Sequence, residues 1–135
     1  KFLILISASF VVGQLYIVFK KFTNGTNRSM PFVKIGHVND LKVGEFKQFN
    51  YPGINDTNTL IRLDKKKFIA FSNKCTHLMC PVIPEVEKNR FHCPCHAGYF
   101  DLLSGRPIQG PPRRKLPEVE LKIVNNMIYA QNILP

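Results

Sequence analysis

The sequence predicts an all-β, antiparallel domain preceded by one membrane-spanning helix. Three observations predict it: two pairs of short strand-like segments around turn-like residues, one uncharged apolar run near the N-terminal end, and no helical period after that run. Ten prolines and eight glycines punctuate the chain, as short strands and turns require.

Residues 2–19 carry no charged side chain, and Lys1 and Lys20-Lys21 bracket them. Eighteen helical residues span about 27 Å, close to the roughly 30 Å of a bilayer core. Tyr16 and Phe22 fall near one end, where amphipathic rings favour the interface. Ser7-Ala8-Ser9 imitates the small residues of a signal-peptide site, but lies in the middle of the run. A retained anchor over residues 1–21 is therefore expected. Residues 22–31 are polar, broken by Gly25 and Pro31, and read as a flexible tether. The β domain follows over residues 32–135. Residues 59–63 and 68–71 flank Asp64-Lys65-Lys66-Lys67 as a hairpin, and residues 119–123 and 127–130 flank Asn125-Asn126 as another.

At 135 residues the chain accommodates one domain and an appendage, with no length for a separate substrate domain. Its formal charge is +10. Half of that lies in the first 34 residues, on Lys1, Lys20, Lys21, Arg28 and Lys34, beside the apolar run. The remainder includes the Lys65 triplet and Arg113-Arg114-Lys115. No helix-turn-helix, RNA-recognition or zinc-finger pattern accompanies this charge, so no nucleic-acid partner is expected.

The chemistry is concentrated. All four cysteines and three of the four histidines lie between residues 75 and 96. They form two segments, Cys75-Thr76-His77-Leu78-Met79-Cys80-Pro81 and His92-Cys93-Pro94-Cys95-His96-Ala97-Gly98-Tyr99-Phe100. Thiolate and imidazole are soft to borderline ligands suited to zinc or iron–sulfur centres. The Cys-x-His of the first segment and the Cys-x-x-His of the second could each hold one side of a centre from one loop. Cys80 and Cys95, one per loop, form a further pair. A Cys₄ site, a structural Cys₂His₂ zinc site, two disulfides without metal, and a two-iron cluster on mixed ligands are all open to these residue types. His37 and His92 fit none of these patterns and read as surface or packing residues.

The two segments resemble the paired loops of Rieske iron–sulfur proteins, C-T-H-L-x-C and C-P-C-H-x-x-x-F. Gly110-Pro111-Pro112 is similar to that family's proline-rich loop over the cluster. The resemblance covers roughly residues 32–135, and the anchor and tether match the membrane-bound branch. It implies a 2Fe-2S cluster held by Cys75, His77, Cys93 and His96, a Cys80–Cys95 disulfide, and an antiparallel fold with a cluster-binding subdomain. Two neutral imidazoles in place of thiolates make the cluster less negative, and Rieske potentials span about −150 to +300 mV against about −400 mV for plant-type ferredoxins. Each imidazole also keeps a second nitrogen for a proton, which couples electron and proton uptake and suits a quinol donor. In quinol-oxidising members the second-loop histidine, here His96, contacts the quinone.

Departures from the family pattern carry their own expectation. High-potential members place Gly-Ser after the second histidine and a tyrosine two residues beyond the serine, and both hydroxyls donate to sulfur. Those places read Ala97-Gly98 and Phe100 here, which implies a lower potential, matched to menaquinol rather than ubiquinol, unless Tyr99 reaches a sulfur. Met79 replaces a usual glycine. Two parent complexes fit: a quinol-oxidising cytochrome bc-type complex with b-type and c-type cytochrome partners, or a molybdenum oxidoreductase resembling arsenite oxidase, to whose small subunit residues 43–52 are similar. Either way the chain is a redox subunit whose quinone or substrate pocket requires a partner. Lys20-Lys21 alone would draw their end toward the cytoplasm, but the implied disulfide places the domain on the periplasmic or extracytoplasmic side.

Overall fold

A computed structural model describes residues 11–20 and 30–135. Residues 11–20 are helical. Among the described residues no helix is long and apolar enough to cross a membrane. The first half of the expected anchor, its last residue 21, and most of the expected tether lie outside the described residues.

Ten strands and two short 3₁₀ turns follow: β1 (Val33–His37), β2 (Phe46–Asn50), β3 (Thr57–Arg62), β4 (Phe68–Ser72), β5 (Ile83–Glu85), β6 (Arg90–Cys93), β7 (Gly98–Asp101), β8 (Pro107–Gln109), β9 (Glu118–Val124) and β10 (Met127–Leu134), with the 3₁₀ turns at Val38–Asp40 and Val86–Lys88. They form a six-stranded sheet in the order β1-β10-β9-β4-β3-β2 and a four-stranded sheet β5-β6-β7-β8. All pairings are antiparallel. Both expected hairpins are present. Leu60 faces Ala70 across β3 and β4, and Ile128 faces Ile123 across β9 and β10. Asn125 and Asn126 have φ of 48° and 61°, the left-handed pair that a tight hairpin turn needs and that asparagine tolerates.

Strand period explains how one pair of strands serves two cores, because successive side chains leave on opposite faces. Leu60 and Ala70 enter a core with Leu41, Tyr51, Val119, Ile128 and Ala130. Their neighbours Ile61 and Phe71 enter a second core with Cys75, Val82, Phe91, Cys93, Phe100, Leu102 and Leu116. Phe71 meets Phe91 edge-on at 5.6 Å, an arrangement favoured by the ring quadrupoles.

The small sheet is an excursion from the large one. β4 and β9 are neighbours, with Phe71 opposite Glu118, yet residues 73–117 separate them in the chain. The Ser72 N–H donates to the Pro117 carbonyl at 2.8 Å and closes the base of the excursion. His37 caps the first 3₁₀ turn, accepting from the Asn39 N–H at its Nδ1, so its role is local.

Candidate metal centre

Two loops form the tip of the small sheet. Residues 73–82 run from β4 to β5, and residues 94–97 turn from β6 into β7. The first loop is closed by its own backbone. The Cys75 N–H donates to the Cys80 carbonyl at 2.8 Å, and the Met79 N–H donates to the Cys75 carbonyl at 2.9 Å. In the second, Cys93 pairs with Gly98 at the end of the β6–β7 ladder, leaving Cys95 and His96 on the exposed turn.

The six residues singled out by sequence converge. Cys80 and Cys95 are joined by a disulfide whose Cα atoms lie 6.5 Å apart. Cys75 and Cys93 are free, each 1% exposed. The rings of His77 and His96 stand 4.9 Å apart at 85°, and both residues are exposed. The Cys93 sulfur lies within 4.8 Å of both disulfide sulfurs, but those two are committed to each other and are not thiolate ligands.

Electrostatics divide the site into a dry side and a wet side. Burial pushes the Cys93 thiol up, and its hydrogen-bonded neighbour Cys75 adds to that. The backbone N–H groups of Cys95 and His96 act against the rise by donating to its sulfur. Two buried thiolates side by side need a compensating cation. A pair of irons supplies one, and the two imidazoles at the open edge complete a two-cysteine, two-histidine donor set. The residues fit a [2Fe-2S] group with mixed ligands.

The expected departures are visible. Phe100 is fully buried behind the cysteines, and Gly98 offers no side chain. Tyr99 leaves β7 on the other face, stacked on His92 at 4.8 Å with the Arg90 guanidinium 4.2 Å from its ring. His92 is thus a packing residue, and Tyr99 supplies no replacement donor on the cysteine face. Met79 and Ala97 have φ of 62° and 48°, left-handed conformations that favour glycine, which explains why the family pattern has glycine at both places.

A third segment closes over the tip. The Thr76 hydroxyl donates to the Arg114 carbonyl at 2.7 Å, tying the first loop to residues 110–114. Gly110 has φ of 88°, and a Cβ there would meet the Ala97 carbonyl oxygen at 2.6 Å and the Gly98 Cα at 2.8 Å. The proline-rich stretch therefore lies directly on the second loop. The Thr76 tie was missed in the sequence, because a threonine partnered 38 residues away leaves no local pattern.

Asp101 fixes the turn at the far end of β7. Its Oδ1 accepts from the Ser104 N–H at 2.8 Å and the Ser104 hydroxyl at 2.6 Å, and these donors hold its carboxyl below the usual carboxylate range. A depressed folded-state value stabilises the protein above the unfolded value, near pH 4, and that contribution disappears as pH falls through the folded value. Thermal melts from about pH 2 to pH 7 should show stability falling on acidification, less steeply in Asp101→Asn. An unchanged acid slope in that variant would remove Asp101 from the account.

Comparison with known proteins matches residues 31–120 to the Rieske [2Fe-2S] domain. The cytochrome bc1 complex Rieske iron-sulfur subunit of Corynebacterium diphtheriae is 41% identical over 58 residues, 42% of this chain and 14% of that protein. The iodate reductase subunit IdrB of Denitromonas iodatirespirans is 31% identical over 116 residues, 76% of this chain and 63% of that protein. The chain thus spans less than two thirds of either relative. The crystal structure of the cyanobacterial plasma membrane Rieske protein of Synechocystis PCC 6803 superposes with a TM-score of 0.64 at 28% identity, covering 74% of this chain and 99% of that one.

Proposed function

The chain belongs to the Rieske [2Fe-2S] domain family, and from that premise we propose that it is the membrane-tethered electron carrier of a quinol-oxidising complex. It takes one electron at a time from quinol, with menaquinol as the matched donor, and delivers it to a c-type cytochrome. The observation that carries this reading is the polarity of the site: both candidate cysteine ligands are buried, while His77 and His96 are exposed at the tip.

When bound, the cluster supplies a one-electron couple. Cys75 and Cys93, members of the second core, would hold it from the buried side. His77 and His96 would hold it from the exposed edge, where His96 would present a ring nitrogen able to hydrogen-bond a quinol oxygen and, when deprotonated, to accept its proton. Leu78 and Met79, which follow His77 in the chain, are 62% and 63% exposed and offer apolar surface against which a partner can exclude water. The lack of hydroxyls at Gly98 and Phe100 supports a potential at the lower end of the family range.

The lysine-bracketed apolar run supports an anchor over residues 1–21 and a tether over 22–31, with the Rieske domain over 32–135. The disulfide supports a periplasmic or extracytoplasmic setting, since such bonds persist in oxidising compartments. Similarity to the bc1 subunit supports the cytochrome complex. A second reading is favoured by the iodate reductase subunit, which is similar over 76% of the chain: the small subunit of a molybdenum oxidoreductase.

Redox titration of the full chain followed by electron paramagnetic resonance tests the quinol reading. The expected midpoint lies near that of menaquinone, and one near the top of the family range, about +300 mV, overturns the menaquinol match. Isolation of the tagged protein with its native partners separates the complexes. A b-type haem in the isolate supports the first, and molybdenum without haem supports the second.

A further inference from the structure

We propose that the protein partner docks an acidic surface into a basic groove on the proline-loop side of the tip, with Arg114 and Lys115 as the recognising charges. The groove has a volume of about 440 Å³ and is lined by Ser72, Lys74, Thr76, Met79, Arg114 and Lys115 among others. No Asp or Glu lines it.

Among the described residues only one of its three basic side chains has a carboxylate partner. Lys74 is paired with Asp56 at 3.1 Å. Among the described residues Arg114 and Lys115 have no carboxylate within ion-pair distance. Over residues 73–117 seven basic side chains face three acids, none of which lines the groove. Glu85 binds Arg90 at 2.6 Å, Asp101 caps its own turn, and Glu87 lines a separate pocket with Glu85 and Lys88. The tip is therefore basic on one flank, with the exposed Met79 as an apolar knob at the groove wall. Apolar contact bordered by charge suits a transient protein partner, whose approach and register such a rim would set.

The groove also touches the candidate ligands mechanically. Arg114 accepts the Thr76 hydroxyl through its carbonyl, and Thr76 lies between Cys75 and His77. Charge reversal at Arg114 leaves that backbone bond in place, so the test need not disturb the centre.

This inference rests on the electron-carrier reading, and binding is measured separately from electron transfer for that reason. The full chain in non-ionic detergent is titrated with two soluble c-type cytochromes, one acidic and one basic around its haem edge, at about 20 and 200 mM salt, which changes the screening length severalfold. The acidic cytochrome should bind at least about tenfold tighter at low salt, and the R114E/K115E protein should lose at least about tenfold of that affinity. The K65E/K66E protein has the same change in net charge on the exposed β3–β4 turn and should lose less than about twofold. Equal losses in both variants, unchanged binding in R114E/K115E, or no binding of the acidic cytochrome at low salt overturns the proposal. So does loss of phosphatidylglycerol-vesicle binding in R114E/K115E with cytochrome binding retained, which assigns the groove to a membrane surface. If the reduced protein binds but passes no electron to either cytochrome, the carrier reading fails while the groove stands.

Discussion

Cys93→Ser should lower bound iron by at least about tenfold and remove the paramagnetic signal of the reduced centre. The argument is one of position as much as of softness. Cys93 ends β6, lies 1% exposed beside Cys75, and receives the N–H groups of Cys95 and His96 on its sulfur. A serine hydroxyl there is a harder donor that stays protonated, and in the absence of metal it is a buried polar group costing about 1–3 kcal/mol. Cys93→Ala separates these effects, since it lacks the buried hydroxyl and should lose iron equally. Iron analysis and the visible spectrum of the folded variants decide the matter. Full iron in either variant would mean that Cys93 is not a ligand.

Joint replacement of Cys80 and Cys95 by serine should cost about 3 kcal/mol, the loop-closure value for a bridge spanning about 15 residues. The pair is separated by 15 residues and joins the two loops that carry every candidate ligand. For a domain of this size the thermal midpoint should fall by roughly 10–20 °C. Single variants are unsuitable, because each releases a thiol within 4.8 Å of the Cys93 sulfur and so supplies a rival ligand. Calorimetry together with the visible absorbance of the centre provides the check. If the midpoint stays within about 3 °C, the loops are held by the proline stretch and the Thr76 bond instead.

Much of this architecture is written locally. Alternation in residues 119–123, the turn-like Asp64-Lys65-Lys66-Lys67 between two β-rich segments, and the Asn125-Asn126 turn specify hairpins because strand period and tight turns depend on near neighbours. The two Cys/His segments are legible because a metal centre needs soft donors close together. Other features depend on distant partners. Ile61 and Leu60 look alike in the sequence, yet they enter different cores. Asn58 is buried because its side-chain amide donates to the carbonyls of Tyr51 and Asp56 at 2.8 and 2.7 Å, which no motif announces. The return of the chain from residue 117 to the edge of β4 likewise has no local signature. Tyr99 could have faced either way until the β6–β7 register put it opposite His92.

The asymmetric burial of the four candidate ligands gives the domain one sheltered face and one open face. Phe71, Phe91 and Phe100 pack in one core with the two cysteines, while His77 and His96 are the exposed members of the four candidate ligands. On the proposed carrier reading, donor and acceptor would share this open face by turns. Throughput would then depend on how quickly one partner vacates that face. Under the same reading, a rigid graft that fixed the domain against one partner would preserve the centre while stopping turnover after one electron.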